Sequence, residues 1–137
     1  MAPIAGTWEE REQVRELYAR YAFTIDYNRF EEWVRCFTED GVFESPIFGR
    51  HQGSQGLLKF TAQYKESMGG AKVIHVMSNL SFRLDGEHGT GGCYLNYYHV
   101  KDGKLSLAAL GRYEDHLRRV NGEWLFESRK VHIDGHR

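Results

Sequence analysis

Proline and cysteine are scarce in this chain, each occurring only twice in 137 residues. So few cysteines exclude a disulfide framework, and Cys36 and Cys93 read as reduced core residues of a cytoplasmic protein. So few prolines, with 41% hydrophobic and 27% charged residues, exclude disordered and collagen-like classes. A dominant charge is also missing. The net charge is −1 with signs interleaved, so neither nucleic acid nor an acidic membrane surface is expected as partner. No apolar run approaches the length of a membrane span. The opening Met1-Ala2-Pro3-Ile4-Ala5-Gly6 has no basic region and no long apolar stretch, and does not read as a secretory signal. Aromatics, at 14%, are plentiful and suit a ring-lined pocket. The length fits one domain over 1–137.

Helical patterns come first. Thr7-Trp8-Glu9-Glu10 reads as a capping box, and Val14, Leu17, Tyr18, Tyr21 and Ile25 follow at helical spacing up to Asp26 or Tyr27. Asn28 and Glu31 repeat the start signature for a short second helix with Phe30, Trp33, Val34 and Phe37 on one stripe, stopped by Thr38-Glu39-Asp40-Gly41. Val42-Phe43-Glu44 reads as a brief strand, and Pro46 and Gly49 mark a bend into another. Ser54 is the expected cap of a third helix carrying Leu57, Leu58, Thr61 and Tyr64, ended by Gly69-Gly70.

From Ala71 the period is two. Strands are expected over 72–84, 90–101, 104–120 and 123–134. Asp85-Gly86, Asp102-Gly103 and Asn121-Gly122 would join them as two-residue hairpin turns. Strands this long must bend, with bulges expected at Gly91-Gly92 and Gly111. The fold class is therefore α+β: a strongly curved, mainly antiparallel sheet wrapped as a cone-shaped barrel around three N-terminal helices, with a cavity at the wide end.

Asp26 and His75 are the polar residues out of place in apolar surroundings. Taken singly, Asp26 reads as a solvated loop residue and His75 as a core histidine satisfied by one hydrogen bond. Together they can transfer protons: a carboxylate on one ring nitrogen fixes the tautomer, freeing the other to accept a proton. Alternation puts Val73, His75, Met77 and Asn79 on one strand face, which makes Asn79 a candidate wall residue. Tyr21 is the candidate donor to a substrate oxygen. It lies five residues before Asp26, about 140° away around an ideal helix, so Tyr18 is an alternative. On the next strand Tyr94, Asn96 and Tyr98 share one face and Tyr97 and His99 the other. Only one set can face the cavity, leaving Tyr98 and His99 as competing candidates. Arg112 and Arg129 would be paired or would anchor an anion if they faced a pocket, and would otherwise be exposed cross-strand pairs. His132-Ile133-Asp134-Gly135-His136 reads as a chain-end tail rather than a metal site, and Gly86 to Gly92 as a hairpin with a bulge rather than a phosphate loop.

These segments resemble the SnoaL-like branch of the nuclear-transport-factor-two-like superfamily. The likeness rests on Tyr21-Ala22-Phe23-Thr24-Ile25-Asp26-Tyr27-Asn28, Phe37-Thr38-Glu39-Asp40-Gly41-Val42-Phe43, His75-Val76-Met77-Ser78-Asn79-Leu80, Gly111-Arg112-Tyr113-Glu114-Asp115, Gly122-Glu123-Trp124 and Arg129-Lys130-Val131. Within that superfamily the chain is similar to scytalone dehydratase, bile-acid dehydratase and hexachlorocyclohexane dehydrochlorinase. The resemblance implies a cofactor-free lyase with Asp26, His75 and Tyr21 as catalytic residues, acting on a small hydrophobic cyclic or polyketide-like molecule, and a homo-oligomer, a trimer. The dehydrochlorinase has Lys at the place of Tyr21, which disfavours dechlorination here. His99 lies near a second catalytic His of scytalone dehydratase. The superfamily also holds ketosteroid isomerase, which pairs an Asp base with a Tyr donor, and structural subunits of ring-hydroxylating dioxygenases. An isomerase or a non-catalytic ligand-binding protein is accordingly the alternative.

Overall fold

The computed structural model describes residues 6–137; the opening run 1–5, read above as no leader, lies outside the described residues. The elements are α1 (Trp8–Asp26), α2 (Phe30–Val34), β1 (Phe37–Ser45), β2 (Gly49–Gln52), α3 (Gly53–Met68), β3 (Lys72–Asp85), β4 (His88–Lys101), β5 (Lys104–Val120) and β6 (Glu123–His136).

Helix α1 starts where its capping box predicts. The Thr7 hydroxyl accepts from the Glu10 backbone N–H at 3.1 Å, and the Glu10 carboxylate accepts from the Thr7 N–H at 3.2 Å. Such a cap contributes about 1 kcal/mol. Val14, Leu17, Tyr18, Tyr21 and Ile25 are all buried. Asn28 does not cap α2. It takes a left-handed φ of 60°, which Asn tolerates, and so reverses the chain, whereas an N-cap needs extended backbone. Arg29 fills the cap position without a side-chain bond. Phe37, expected on the α2 stripe, opens β1 instead, and Thr38 to Gly41 continue that strand. Ser54 lies inside the first turn of α3, whose N-cap is Gln52. On α3, Leu57, Phe60, Thr61 and Tyr64 are buried, but Leu58 points to solvent. Gly69 ends the helix at φ 58°, a left-handed cap that costs glycine nothing sterically.

The six strands form one sheet in the order β2-β1-β6-β5-β4-β3. Every pairing is antiparallel except β1 with β6. The sheet is strongly curved but does not close into a barrel, since β2 and β3 remain as edges. Asp102-Gly103 and Asn121-Gly122 make turns with positive φ at both residues, as type I′ geometry requires. The β3–β4 turn is shifted by one: Asp85 pairs with His88, and Gly86-Glu87 form the reversal.

The β5–β6 register shifts at Gly111 as expected, but the extra residue is Asp134 of β6: Leu110 pairs with Gly135 and Gly111 with Ile133. A Cβ at Gly111 would run into the His132 carbonyl oxygen, so only glycine lets the strands approach there. The bulge expected at Gly91-Gly92 likewise falls on the partner strand. Ser78 pairs with Tyr94 and Ser81 with Gly92, so the extra residue is in β3, at Asn79-Leu80, with Asn79 at φ 58°. This inverts the alternation of β3. His75 and Met77 face inward before the bulge, and Leu80, Phe82 and Leu84 after it. The segment from His132 to His136 is not a tail but the last part of β6, paired with β5.

Helix α1 packs on β3 and β6, and α3 on β1 and β2. The core holds Trp33, Phe37, Phe43, Phe60, Trp124 and Phe126 with the stripe of α1. Within it lies a charged pair: Arg129 donates to Asp115 through Nε at 2.8 Å and a terminal nitrogen at 3.1 Å, with both side chains fully buried. The Tyr18 hydroxyl donates to the same carboxylate at 2.5 Å. The guanidinium lies 3.6 Å from the Tyr113 ring centroid and 4.4 Å from that of Tyr21. Burial opposes the Arg129 charge, but Asp115 and the surrounding groups prevail, and its pKa rises.

Candidate active site

Asp26 closes α1, and His75 stands on the inner face of β3. The two meet through two contacts. His75 Nδ1 lies 2.6 Å from Asp26 Oδ1, and the His75 backbone N–H donates to Asp26 Oδ2 at 3.0 Å. The side chains are only 9% and 11% exposed. An ionised carboxylate only accepts, so Nδ1 carries the proton in this pair. No hydrogen bond among the described residues engages Nε2. The backbone contact makes the pair rigid, because the strand and the ring are gripped by one carboxylate.

His75 lines an apolar cavity of about 80 Å³ between the helices and the concave sheet. Ile25, Phe43, Phe60, Leu95, Val131 and Ile133 supply hydrocarbon. Tyr21, Ser45, Tyr64, Tyr97 and Tyr113 supply the other polar groups. Ile47, 65% exposed, and Phe48 stand at the mouth. An engineered cavity of about 150 Å³ holds benzene, so a ring entering here must displace Ile47 or Phe48.

Tyr21 and Asp26 diverge around α1, as their spacing dictates, and they do not share the cavity. They flank His75 instead. Asp26 reaches it from a groove between α1 and β3, while the Tyr21 ring lies 6.4 Å away, edge-on, inside the cavity. Burial raises the Tyr21 phenol and nearby Arg129 lowers it, leaving it at about 12. It is a protonated donor at neutral pH.

The other expected wall residues are elsewhere. Tyr18 is buried but committed to Asp115, and it does not line the cavity. Asn79 is turned outward by its bulge. Tyr98 pairs with Ile74 on the outer face of the sheet. Arg112 is exposed, 3.8 Å from Asp134. His99 shares the inner row but stands behind Tyr97, ring centroids 5.0 Å apart, with Nε2 buried and unpaired. Tyr97 occupies the wall in place of Tyr98, its ring 4.8 Å from His75. Inward Cys93 and Leu95, apolar residues alternating with Tyr94 and Asn96, were the signal for that parity. Tyr64 joins Tyr97 from α3, with 2.7 Å between the two hydroxyls. No cluster of three or more metal-ligating side chains occurs among the described residues.

Several solved structures share this architecture. A variant of Rv3472 from Mycobacterium tuberculosis, a protein of unknown function, has 27% identity over 93% of this chain and 73% of that one, with a TM-score of 0.85. A protein from Catenulispora acidiphila, in complex with S-DNPA, has 24% identity over 90% and 92%, with a TM-score of 0.83. ActVI-ORFA from Streptomyces coelicolor has 21% identity over 90% and 97%, with a TM-score of 0.82. No curated protein matches the sequence. The SnoaL-like domain matches residues 6–130, nearly the whole chain, and the protein belongs to that family.

Proposed function

We propose that this protein is a cofactor-independent lyase of the dehydratase type, acting on a small hydrophobic cyclic or polyketide-like molecule. The observation that carries the reading is the 2.6 Å contact between Asp26 and a His75 that lines an apolar cavity. His75 Nε2 takes a proton from carbon next to a carbonyl. Asp26 holds the tautomer and balances the imidazolium that forms. Tyr21 donates a hydrogen bond to the departing oxygen. No step requires a cofactor. The Catenulispora relative solved in complex with S-DNPA supports a ligand-binding role for this fold. The same parts would serve an isomerase, which returns the proton to a different carbon. A homo-oligomer, a trimer, is part of the reading: Ile74, Val76, Tyr94 and Leu110 expose apolar area on the outer face of β3, β4 and β5.

The test uses 3-hydroxycyclohexanone in deuterated water, followed by proton NMR. The wild-type protein is expected to incorporate deuterium between the two oxygenated carbons and to release the enone. His75→Ala should be slower by about 10²–10⁴, the usual contribution of a general base. Equal rates for the variant and the wild type would remove the mechanism.

A further inference from the structure

The Tyr64 and Tyr97 hydroxyls are not needed by the chemistry just described, yet both lie in the cavity wall. Their hydrogen bonds have a direction. The Tyr97 O–H donates to the Met68 sulfur at 3.1 Å, and a thioether can only accept. The 2.7 Å contact between the phenols is therefore donated by Tyr64 to Tyr97. Donation from Tyr64 polarises the Tyr97 O–H and makes it a stronger donor. A thioether is a weak acceptor, so the Tyr97 O–H readily redirects its hydrogen bond to any better acceptor that enters. A carbonyl oxygen is such an acceptor.

Tyr21 and Tyr113 are a second pair of phenols in the same cavity wall, and Tyr21 is within electrostatic reach of Tyr64 and Tyr97. Tyr97 lies level with His75 in the sheet register. Tyr113 pairs with Cys93, four residues further along β4, or about 13 Å of strand. Tyr21 packs on Tyr113 with ring centroids 5.8 Å apart. Among the described residues no ring contact joins the two pairs. His75 touches both, 4.8 Å from Tyr97 and 6.4 Å from Tyr21.

We propose that Tyr97 is a second catalytic residue, a hydrogen-bond donor to substrate oxygen, with Tyr64 as its positioning residue. The substrate then carries two oxygens, one on each side of the carbon that meets His75, as a β-hydroxycarbonyl compound does. This rests on the acid–base reading above and deepens it. His75 Nε2 takes the proton from the central carbon. The C–H electron pair forms a carbon–carbon π bond as the carbonyl π pair moves onto oxygen, and Tyr97 holds the resulting enolate. The enolate collapses to a carbon–carbon double bond and expels the β-oxygen. That oxygen, hydrogen-bonded by Tyr21, takes the proton from the His75 imidazolium and leaves as water. Atoms and electrons balance without an oxidant or reductant.

The test is a binding comparison of resorcinol, with oxygens in a 1,3 relation, against phenol, titrated by NMR. One additional net hydrogen bond should make resorcinol bind about tenfold more tightly to the wild-type protein. Tyr97→Phe should abolish this preference, with circular dichroism and thermal melting checking that the variant is folded. Tyr64→Phe should reduce the preference to about threefold. A Tyr97→Phe protein that retains the preference overturns the proposal, as does a wild-type protein that shows no preference or binds neither compound. Deuterium exchange on 3-hydroxycyclohexanone is measured on the same samples. Exchange with a preference indifferent to Tyr97 refutes only the role of Tyr97. A Tyr97-dependent preference without exchange refutes only the lyase reading.

Discussion

Replacing Asp26 with Asn removes one charge and no volume, yet the geometry leaves the new amide no orientation that both satisfies its partners and keeps His75 Nε2 bare. Asp26 Oδ1 accepts from the His75 ring at 2.6 Å and Oδ2 from the His75 backbone at 3.0 Å, so both positions require an acceptor. An amide has one acceptor and one donor. If its oxygen serves the backbone N–H, its NH₂ faces Nδ1. The imidazole must then accept there and carry its proton on Nε2, where it cannot act as base. If its oxygen serves Nδ1–H, its NH₂ opposes the backbone N–H and leaves a buried donor unpaired. Either way both contacts lose the assistance of the carboxylate charge in a nearly buried site, at a cost of about 1–3 kcal/mol of stability. The first orientation avoids the unpaired backbone donor and is the expected one. Exchange and elimination on 3-hydroxycyclohexanone should fall by about 10²–10⁴. The matched urea titration should report only the modest stability loss. A folded Asp26→Asn protein with activity within about threefold of wild type would refute the reasoning.

The buried charge pair gives a second expectation. Arg129→Met leaves the buried Asp115 carboxyl with only the Tyr18 hydroxyl for support, which should cost about 3–5 kcal/mol in urea denaturation. Adding Asp115→Asn should recover part of that loss, and a single-variant cost below about 1 kcal/mol would contradict the network. Alkaline pH gives a third. Burial is the first cause raising Tyr18, Tyr21, Tyr64, Tyr97 and Tyr113, with Tyr21 reaching about 12. Their folded pKa values exceed the unfolded value of about 10. The folded state thus keeps its stability below that pH. It loses about 1.4 kcal/mol per phenol per pH unit as pH rises from there toward 12. Thermal melts at increasing pH should fall steeply above about pH 10; an unchanged melting temperature one unit higher would contradict the burial.

The parts of the structure that follow from local pattern were legible in the sequence. The Thr7-to-Glu10 capping box, the apolar stripe of α1 and the Asp102-Gly103 and Asn121-Gly122 turns all involve residues within a few positions of one another. Asp26 and His75 were legible as polar residues interrupting apolar patterns. Phe37 was not, because its spacing from Trp33 and Val34 suits a helix, and only pairing with β6 draws it into β1. Asn79 was misplaced because strand alternation is continuous only until a bulge, and a bulge is fixed by the partner strand. Tyr64 and Tyr97 come from distant segments, and neither phenol signals by itself that the other will meet it. The sequence left Arg129 open between a paired or anion-binding residue at a pocket and an exposed cross-strand pair, and it did not single out Asp115 as the partner. The fold buries them because Tyr18, Tyr113 and Phe126 enclose the guanidinium, an arrangement that no local pattern encodes.

The most direct measurement is the protonation of the His75 ring, read by long-range nitrogen–proton NMR of the selectively labelled protein. A proton on Nδ1 and a bare Nε2 in the neutral ring are expected, with the Nε2 signal moving when resorcinol is added. A neutral ring protonated on Nε2, with Nδ1 bare against Asp26, would contradict the account.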